Sequence, residues 1–174
     1  GWWTAMFLFT LAMRYEFGVG RWLSKHIVLY AVTHNPVVGF LAIFVLVSTD
    51  LTWNMNLLLY VSMVSVASLA FEVGRKIREP SEEIAGVQSY STALGRRGAA
   101  WLLAGLVVLT LGLGVLTLWP LARGFAGAVA MALLWLGAAV ALLMSRPGQP
   151  AKRVELGASL LMLLSFVSVG VAAW

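Results

Sequence analysis

Apolar stretches of about twenty residues recur along this chain, and their length restricts its fold more than any other feature. As a helix, about 20 residues cross the hydrocarbon core of a bilayer, where the backbone must satisfy its own hydrogen bonds. Strands of a membrane barrel would be about half as long and would alternate in polarity. The stretches therefore predict an all-α fold, a polytopic transmembrane helix bundle. Its six predicted helices are 1–13, 27–49, 55–73, 98–120, 124–144 and 155–174.

The composition supports one transmembrane helical domain over residues 1–174. Charged residues make up 11% of the chain, against about 25% in a soluble domain, so the chain cannot cover a water-facing surface. Cysteine is absent from the sequence, which excludes disulfides and thiolate metal ligands. Segment 1–13 has no initiator Met and no basic n-region, so a signal peptide is not predicted. We expect this segment to be the end of a helix whose start is missing.

Basic residues are concentrated in three of the predicted loops. Loops 14–26, 74–97 and 145–154 hold 11 of the 12 Lys and Arg, whereas loop 50–54 holds Asp50 and no base. The positive-inside rule places the three basic loops in the cytoplasm. We therefore expect an integral protein of the plasma membrane, which in bacteria is the inner membrane. Because orientation accounts for the net charge of +5, membrane lipids are the expected partners and nucleic acid is not.

The longest predicted loop, 74–97, is patterned and is not expected to be disordered. Pro80 suits the first turn of a helix, and Glu82 and Glu83 would then lie near its positive N-terminus. Apolar residues of the loop recur three or four apart: Ile84, Val87, Tyr90 and Leu94. We expect a short helix or hairpin that packs these residues over the cytoplasmic mouth of the bundle.

The third helix, 55–73, carries a polar stripe that ends in a carboxylate. The stripe consists of residues three or four apart, which share one helix face: Ser62, Ser65, Ser68 and Glu72. In lipid such a face points into the bundle or into a wet cavity. The serines alone favour close helix packing, whereas Glu72 favours a cavity.

The second helix, 27–49, carries polar residues before a proline: Tyr30, Thr33, His34 and Asn35, then Pro36. Proline breaks helical hydrogen bonding, and neighbouring polar groups satisfy the freed carbonyl. An ionisable residue inside the membrane is also a functional candidate by default. Two interpretations of His34 stay open, support of the kink and lining of a cavity shared with Glu72.

Carboxylates and bases alternate over residues 72–83, at the mouth of this apolar bundle. Mg²⁺ typically takes one or two carboxylates together with phosphate oxygens. Arg and Lys bind phosphate directly. A lipid with a diphosphate head would match both, with its head in the charged mouth and its tail in the bundle. A solvated loop with internal ion pairs is the alternative that spacing leaves open.

Residues 71–80 and 86–95 resemble the second conserved region of the UbiA-type membrane prenyltransferases, above all a subgroup with an Arg-Lys-x-Arg-x-Pro-x-x-Glu loop. Residues 14–17 and 22–34 are similar to the same subgroup, so the likeness spans roughly residues 14–97. It implies a nine-helix fold, of which this chain would be the C-terminal six helices. Such enzymes move a polyprenyl group from its diphosphate to an aromatic or other acceptor, with Mg²⁺ as cofactor.

The resemblance implies a role for the charged residues of the mouth. The residues expected to bind the diphosphate of the substrate are Arg75, Lys76 and Arg78. The residues expected to bind metal are Glu79, Glu82 and Glu83. The residues expected to orient or deprotonate the acceptor are Glu72 and His34.

The family's second motif, Asp-x-x-x-Asp, is altered in this chain. One register places Glu82 on the second aspartate and Arg78 on the first, whereas a shifted register pairs Glu79 with Glu83. Both registers stay open, and Arg78 would suit direct contact with the diphosphate. The first aspartate-rich motif would lie in the missing N-terminal part, so we expect the chain alone to be inactive.

A membrane transporter or permease half is the alternative function. A polar stripe, a proline-broken helix and an intramembrane His all occur in transporters. A lipid-headgroup phosphotransferase is not favoured, because its Asp-Gly…Ala-Arg…Gly…Asp signature is absent from the sequence. An inverted repeat in the missing N-terminal part would favour transport, and an aspartate-rich loop there would favour prenyl transfer.

Overall fold

The computed structural model describes residues 1–47, 54–83 and 87–172, and within these ranges all regular elements are helical. The α-helices are α1 Trp2–Arg14, α2 Gly20–Leu23, α3 Ile27–His34, α4 Pro36–Val47, α5 Met55–Arg75, α6 Tyr90–Leu118, α7 Phe125–Met144 and α8 Ala151–Ala172. Short 3-10 turns lie at Glu16–Gly18, Pro80–Glu82 and Trp119–Leu121. The all-α prediction is confirmed.

Five stretches of the described residues are long and apolar enough to cross a membrane: Ile27–Phe44, Met55–Arg75, Tyr90–Leu121, Phe125–Met144 and Ala151–Ala172. They mark the chain as a membrane protein. Helix α1 has 13 residues, about 20 Å at 1.5 Å per residue, which is short of the roughly 30 Å hydrocarbon core. It buries none of its residues and packs on α4. The described ranges thus hold five candidate spanning helices, and the sixth predicted helix, 1–13, stays a prediction.

Helices α5, α6, α7 and α8 form the packed part of the bundle, with small residues at their contacts. Gly74 of α5 meets Ala158 of α8 so closely that a Cβ on Gly74 would lie 2.5 Å from the Ala158 Cβ. Gly157 of α8 is similarly close to Met144 and Ala141 of α7. Glycine and alanine allow this approach because membrane helices associate by close packing of their backbones.

Two apolar clusters fill the interior. The first includes Ala70, Val73, Tyr90, Leu103 and Val154. The second, further along the bundle, includes Met63, Val64, Leu118, Ala130 and Leu134. The end of α5 lies beside the starts of α6 and α8, and the first cluster lies next to the predicted basic loops there. This end of the bundle is called the basic end. Arg96 links two of those loops by donating from Nη2 to the Gln149 carbonyl at 2.9 Å.

The loop at the basic end differs from its prediction. Helix α6 begins at Tyr90, eight residues before the predicted start at 98, and Gly95 breaks it with φ 70°. Tyr90 is fully buried as expected, but Val87 and Leu94 are 47% and 44% exposed. Ile84 lies outside the described residues, as do residues 50–53 of the predicted external loop. The expected short helix is a single 3-10 turn, Pro80–Glu82.

Candidate functional site

A polar cavity of about 250 Å³ lies between the α3–α4 pair and α5. Its polar walls are Tyr30, His34, Asn35, Ser68 and Glu72. The stripe of α5 supplies two of these side chains, and the residues before Pro36 supply the other three. The structure thus brings His34 and Glu72 to one cavity from two different helices.

The ring of His34 is held on three sides. Its Nδ1 lies 2.8 Å from the Tyr30 carbonyl oxygen and 3.2 Å from the Thr33 hydroxyl. The Tyr30 ring stacks on it at 4.0 Å between centroids, and the Phe17 ring meets it edge-on at 5.6 Å. Because a carbonyl oxygen can only accept, the contact with Tyr30 favours the tautomer with hydrogen on Nδ1. In that tautomer the lone pair of the ring is on Nε2, which has no hydrogen-bond partner among the described residues.

Phe17 reaches His34 from an unusual backbone turn. Glu16, Phe17 and Gly18 have φ of 49°, 53° and 74°, so three consecutive residues are left-handed. Such a conformation costs residues with a Cβ about 1–2 kcal/mol each. Packing of Phe17 between Phe9 and His34 offsets that cost in this turn. Sequence reasoning missed Phe17, for which Gly18 is the only local signal.

Glu72 is fully engaged by two cations at the end of α5. Arg75 donates from Nε to Oε2 at 2.7 Å, and the Lys76 Nζ lies 2.6 Å from Oε1. Lys76 also lies over the Tyr30 ring, with Nζ 5.9 Å from the centroid. The side chains of Glu72, Arg75 and Lys76 are partly exposed. These contacts follow from the spacing of three and four residues along one helix.

A second cavity, also of about 250 Å³, lies beside the first at the basic end. Arg75, Arg78 and Glu82 line it together with Lys152 and Glu155 of α8. Five of the eight predicted site residues therefore lie in two neighbouring cavities, with Arg75 in one bound to Glu72 in the other. Neither cavity is lined by Lys76, Glu79 or Glu83. Sequence reasoning missed Lys152 and Glu155 because no pattern within α8 indicates its contact with the end of α5.

Backbone hydrogen bonds fix the position of Arg78. Its N–H donates to the Ser91 hydroxyl at 2.9 Å, and the Tyr90 N–H donates to the Lys76 carbonyl at 3.2 Å. The start of α6 is thereby tied to the segment that follows α5. The guanidinium of Arg78 makes a long contact of 3.4 Å from Nη1 to the Glu82 carbonyl.

The three carboxylates predicted to bind metal serve the loop itself. Glu79 and Glu82 cap the 3-10 turn reciprocally. Glu83 accepts a hydrogen bond from the Ser89 hydroxyl at 2.6 Å, while its Oε2 is buried without a partner in the described ranges. Over the same ranges, no three His, Asp or Glu side chains converge as metal ligands. The Mg²⁺ site that the resemblance implies therefore stays a prediction.

An apolar groove of about 350 Å³ continues from the polar cavity between α4 and α5. Its walls include Pro36, Gly39, Phe40, Ile43 and Leu69. Asn35 lines both the groove and the cavity and donates from Nδ2 to the Ser65 carbonyl at 2.7 Å.

The two interpretations of the α5 stripe, close helix packing and a cavity, apply to different serines. Ser65 lies in the groove and Ser68 in the cavity, whereas Ser62 is exposed. The Ser65 hydroxyl donates to its own helix, at the Val61 carbonyl, and a Cβ on Gly39 would lie 3.2 Å from its oxygen. Ser65 therefore supports close packing of α4, and Ser68 leads to the carboxylate.

Comparisons of the chain with models of protein families, with curated proteins and with solved structures gave no match. The resemblance to the UbiA-type prenyltransferases accordingly stays a prediction.

Proposed function

We propose that this chain is the C-terminal part of a membrane-embedded prenyltransferase with a nine-helix, UbiA-like fold. It would move a polyprenyl group from its diphosphate to an aromatic or other acceptor. One observation carries the proposal, the adjacency of three surfaces. Three surfaces follow one another along α5: the cations of the basic end, the polar cavity lined by His34, and the apolar groove. That order matches the head, the reacting carbon and the chain of a prenyl diphosphate.

The diphosphate would bind to Arg75, Lys76 and Arg78, with Lys152 completing the set. Fixed cations stabilise the negative charge that develops on a leaving diphosphate, and they do so most strongly where water is scarce. Arg75, Arg78 and Lys152 face the same cavity, which supports their joint action. Lys76 contacts Glu72 and Tyr30, on the side of the polar cavity.

The acceptor would bind in the polar cavity, where the lone pair of His34 Nε2 can take its proton. A positioned base contributes about 10²–10⁴-fold to such a step. The stacked Tyr30 ring and the edge of Phe17 hold the His34 ring in place. The prenyl chain would lie along the groove past Phe40 and Ile43.

A transporter half is the second candidate, and the helix break favours it. The span Ile27–Phe44 is divided between α3 and α4 at Asn35–Pro36. Both the cavity and the groove open at this break. Transporters place binding sites at such interruptions. Turnover separates the two candidates, since a transporter leaves its ligand chemically unchanged.

The test uses the full-length protein in nanodiscs with farnesyl diphosphate. We expect release of pyrophosphate and a farnesylated product when an aromatic acceptor is added. Arg78→Gln should lower affinity for farnesyl diphosphate by about tenfold or more, because charge-assisted hydrogen bonds contribute about 1.5–3 kcal/mol. Arg97→Gln is the matched control, because Arg97 is exposed and lines neither cavity. Equal affinities for the two variants, or binding without turnover in wild type, would contradict the proposal.

A further inference from the structure

The contacts of Glu72 use both of its carboxylate oxygens. Arg75 takes Oε2 and Lys76 takes Oε1. A carboxylate and a phosphate present similar pairs of oxygens to a guanidinium or an ammonium group. Glu72 therefore fills the position that an anionic headgroup would take on these two cations.

The neighbouring cations are not occupied in this way. Arg78 and Lys152 form no salt bridge with another described residue, although both line the cavity that Arg75 faces. An anion entering that cavity meets two available cations and a third that is bound to Glu72, beside the carboxylates of Glu82 and Glu155. The negative charge of Glu72 also opposes the anion through space.

We infer that Glu72 is an internal competitor of the headgroup, an inference that rests on the proposed function. Binding of a diphosphate exchanges its oxygens for those of Glu72 on Arg75 and Lys76. The displaced carboxylate needs little movement, because Glu72 already lines the cavity that holds His34. The side chain is partly exposed, so it can turn into that cavity without disturbing the core.

The inference fixes the sign of one mutation. Replacing Glu72 by Gln removes the competing charge, so affinity for an anion should increase. A carboxylate that binds the headgroup through a metal, or that holds the cations in place for it, would produce the opposite result. Glu16→Gln is the control, because it removes the same charge from the predicted basic loop 14–26 while Glu16 lines neither cavity.

The experiment titrates inorganic pyrophosphate into the full-length protein in phosphatidylcholine nanodiscs and measures heat. We expect Glu72→Gln to bind about tenfold more tightly than wild type, and Glu16→Gln to change affinity by less than about threefold. Addition of phosphatidylglycerol then shows whether a lipid headgroup takes the same cations, since it would weaken pyrophosphate binding most in Glu72→Gln. Should the Gln variant fail to fold, Glu72→Ala gives the same loss of charge and the same expected order.

Equal or weaker binding by Glu72→Gln would overturn the inference while leaving the proposed function intact. An equal gain for Glu16→Gln would also overturn it, because the effect would then be one of net charge. If neither wild type nor any variant binds pyrophosphate, the proposed function itself fails. Arg75→Gln should weaken binding in every case in which the inference holds.

Discussion

Glu72 and Arg75 lie one turn apart at the end of α5, and the 2.7 Å contact between Oε2 and Nε joins two cavities. Glu72 lines the cavity that contains His34, and Arg75 lines the one completed by α8. A ligand that displaces either partner of this ion pair would therefore change the lining of the other cavity.

His34→Asn in the full-length protein should separate positioning from proton transfer. The Asn amide nitrogen can replace Nδ1 as donor to the Tyr30 carbonyl, but the variant has no equivalent of Nε2. We expect turnover to fall by about 10²–10⁴-fold with affinity for farnesyl diphosphate unchanged. Kinetics with saturating acceptor measure the first quantity, and calorimetry measures the second. Unchanged turnover would return His34 to a role in supporting the helix break.

Gly74→Ala should destabilise the contact between α5 and α8. The new Cβ would lie 2.5 Å from the Ala158 Cβ, so the helices must separate. Overpacking of this kind costs about 1–3 kcal/mol. The free energy of unfolding in mixed micelles measures the effect. Gly105→Ala on α6 is the control, because a Cβ there meets nothing within 4 Å, and equal stability of the two variants would contradict the packing described here.

Gly18→Ala should loosen the turn that positions Phe17. A Cβ at Gly18 meets no atom within 4 Å, so the whole effect comes from its φ of 74°. The expected loss is about 1–2 kcal/mol, with faster amide hydrogen exchange at residues 16–19. Gly124→Ala provides the comparison, since Gly124 has equal space and an ordinary φ of −97°. Exchange that is no faster in Gly18→Ala would show that this turn carries no strain.

Single cysteines should report the orientation of the basic end. The chain has no cysteine of its own, so labelling is specific. We expect an impermeant maleimide to label Gly124→Cys in intact cells and to label Ser81→Cys only after permeabilisation, because the basic loops should face the cytoplasm. Labelling in the reverse order would place the basic end outside and remove the proposed cytoplasmic site.

The features that the sequence predicts best are those that follow from periodicity within a single helix. The contacts of Glu72 with Arg75 and Lys76 follow from spacing along α5, and such local geometry is specified directly by a sequence. The cavity shared by His34 and Glu72 agrees with the interpretation that His34 lines a cavity.

Contacts between distant segments were not predictable in the same way. Lys152 joins the second cavity through packing of α8 on α5, which small residues such as Gly74 allow without indicating a partner. The turn at Phe17 requires left-handed φ at a residue type that rarely adopts it. The loop carboxylates make short-range hydrogen bonds that spacing did not indicate, since Glu79 and Glu82 cap a 3-10 turn and Glu83 accepts from Ser89.

The shared position of Asn35 has a consequence for ligands of different length. Because this one carboxamide borders both the polar cavity and the apolar groove, a bound amphiphile must pass it at the junction of head and chain. The bond from Asn35 to the Ser65 carbonyl fixes that junction to α5. Amphiphiles that differ only in chain length would therefore place their headgroups at the same depth in the bilayer. Added carbons would extend the chain at the end of the groove away from Asn35, towards lipid.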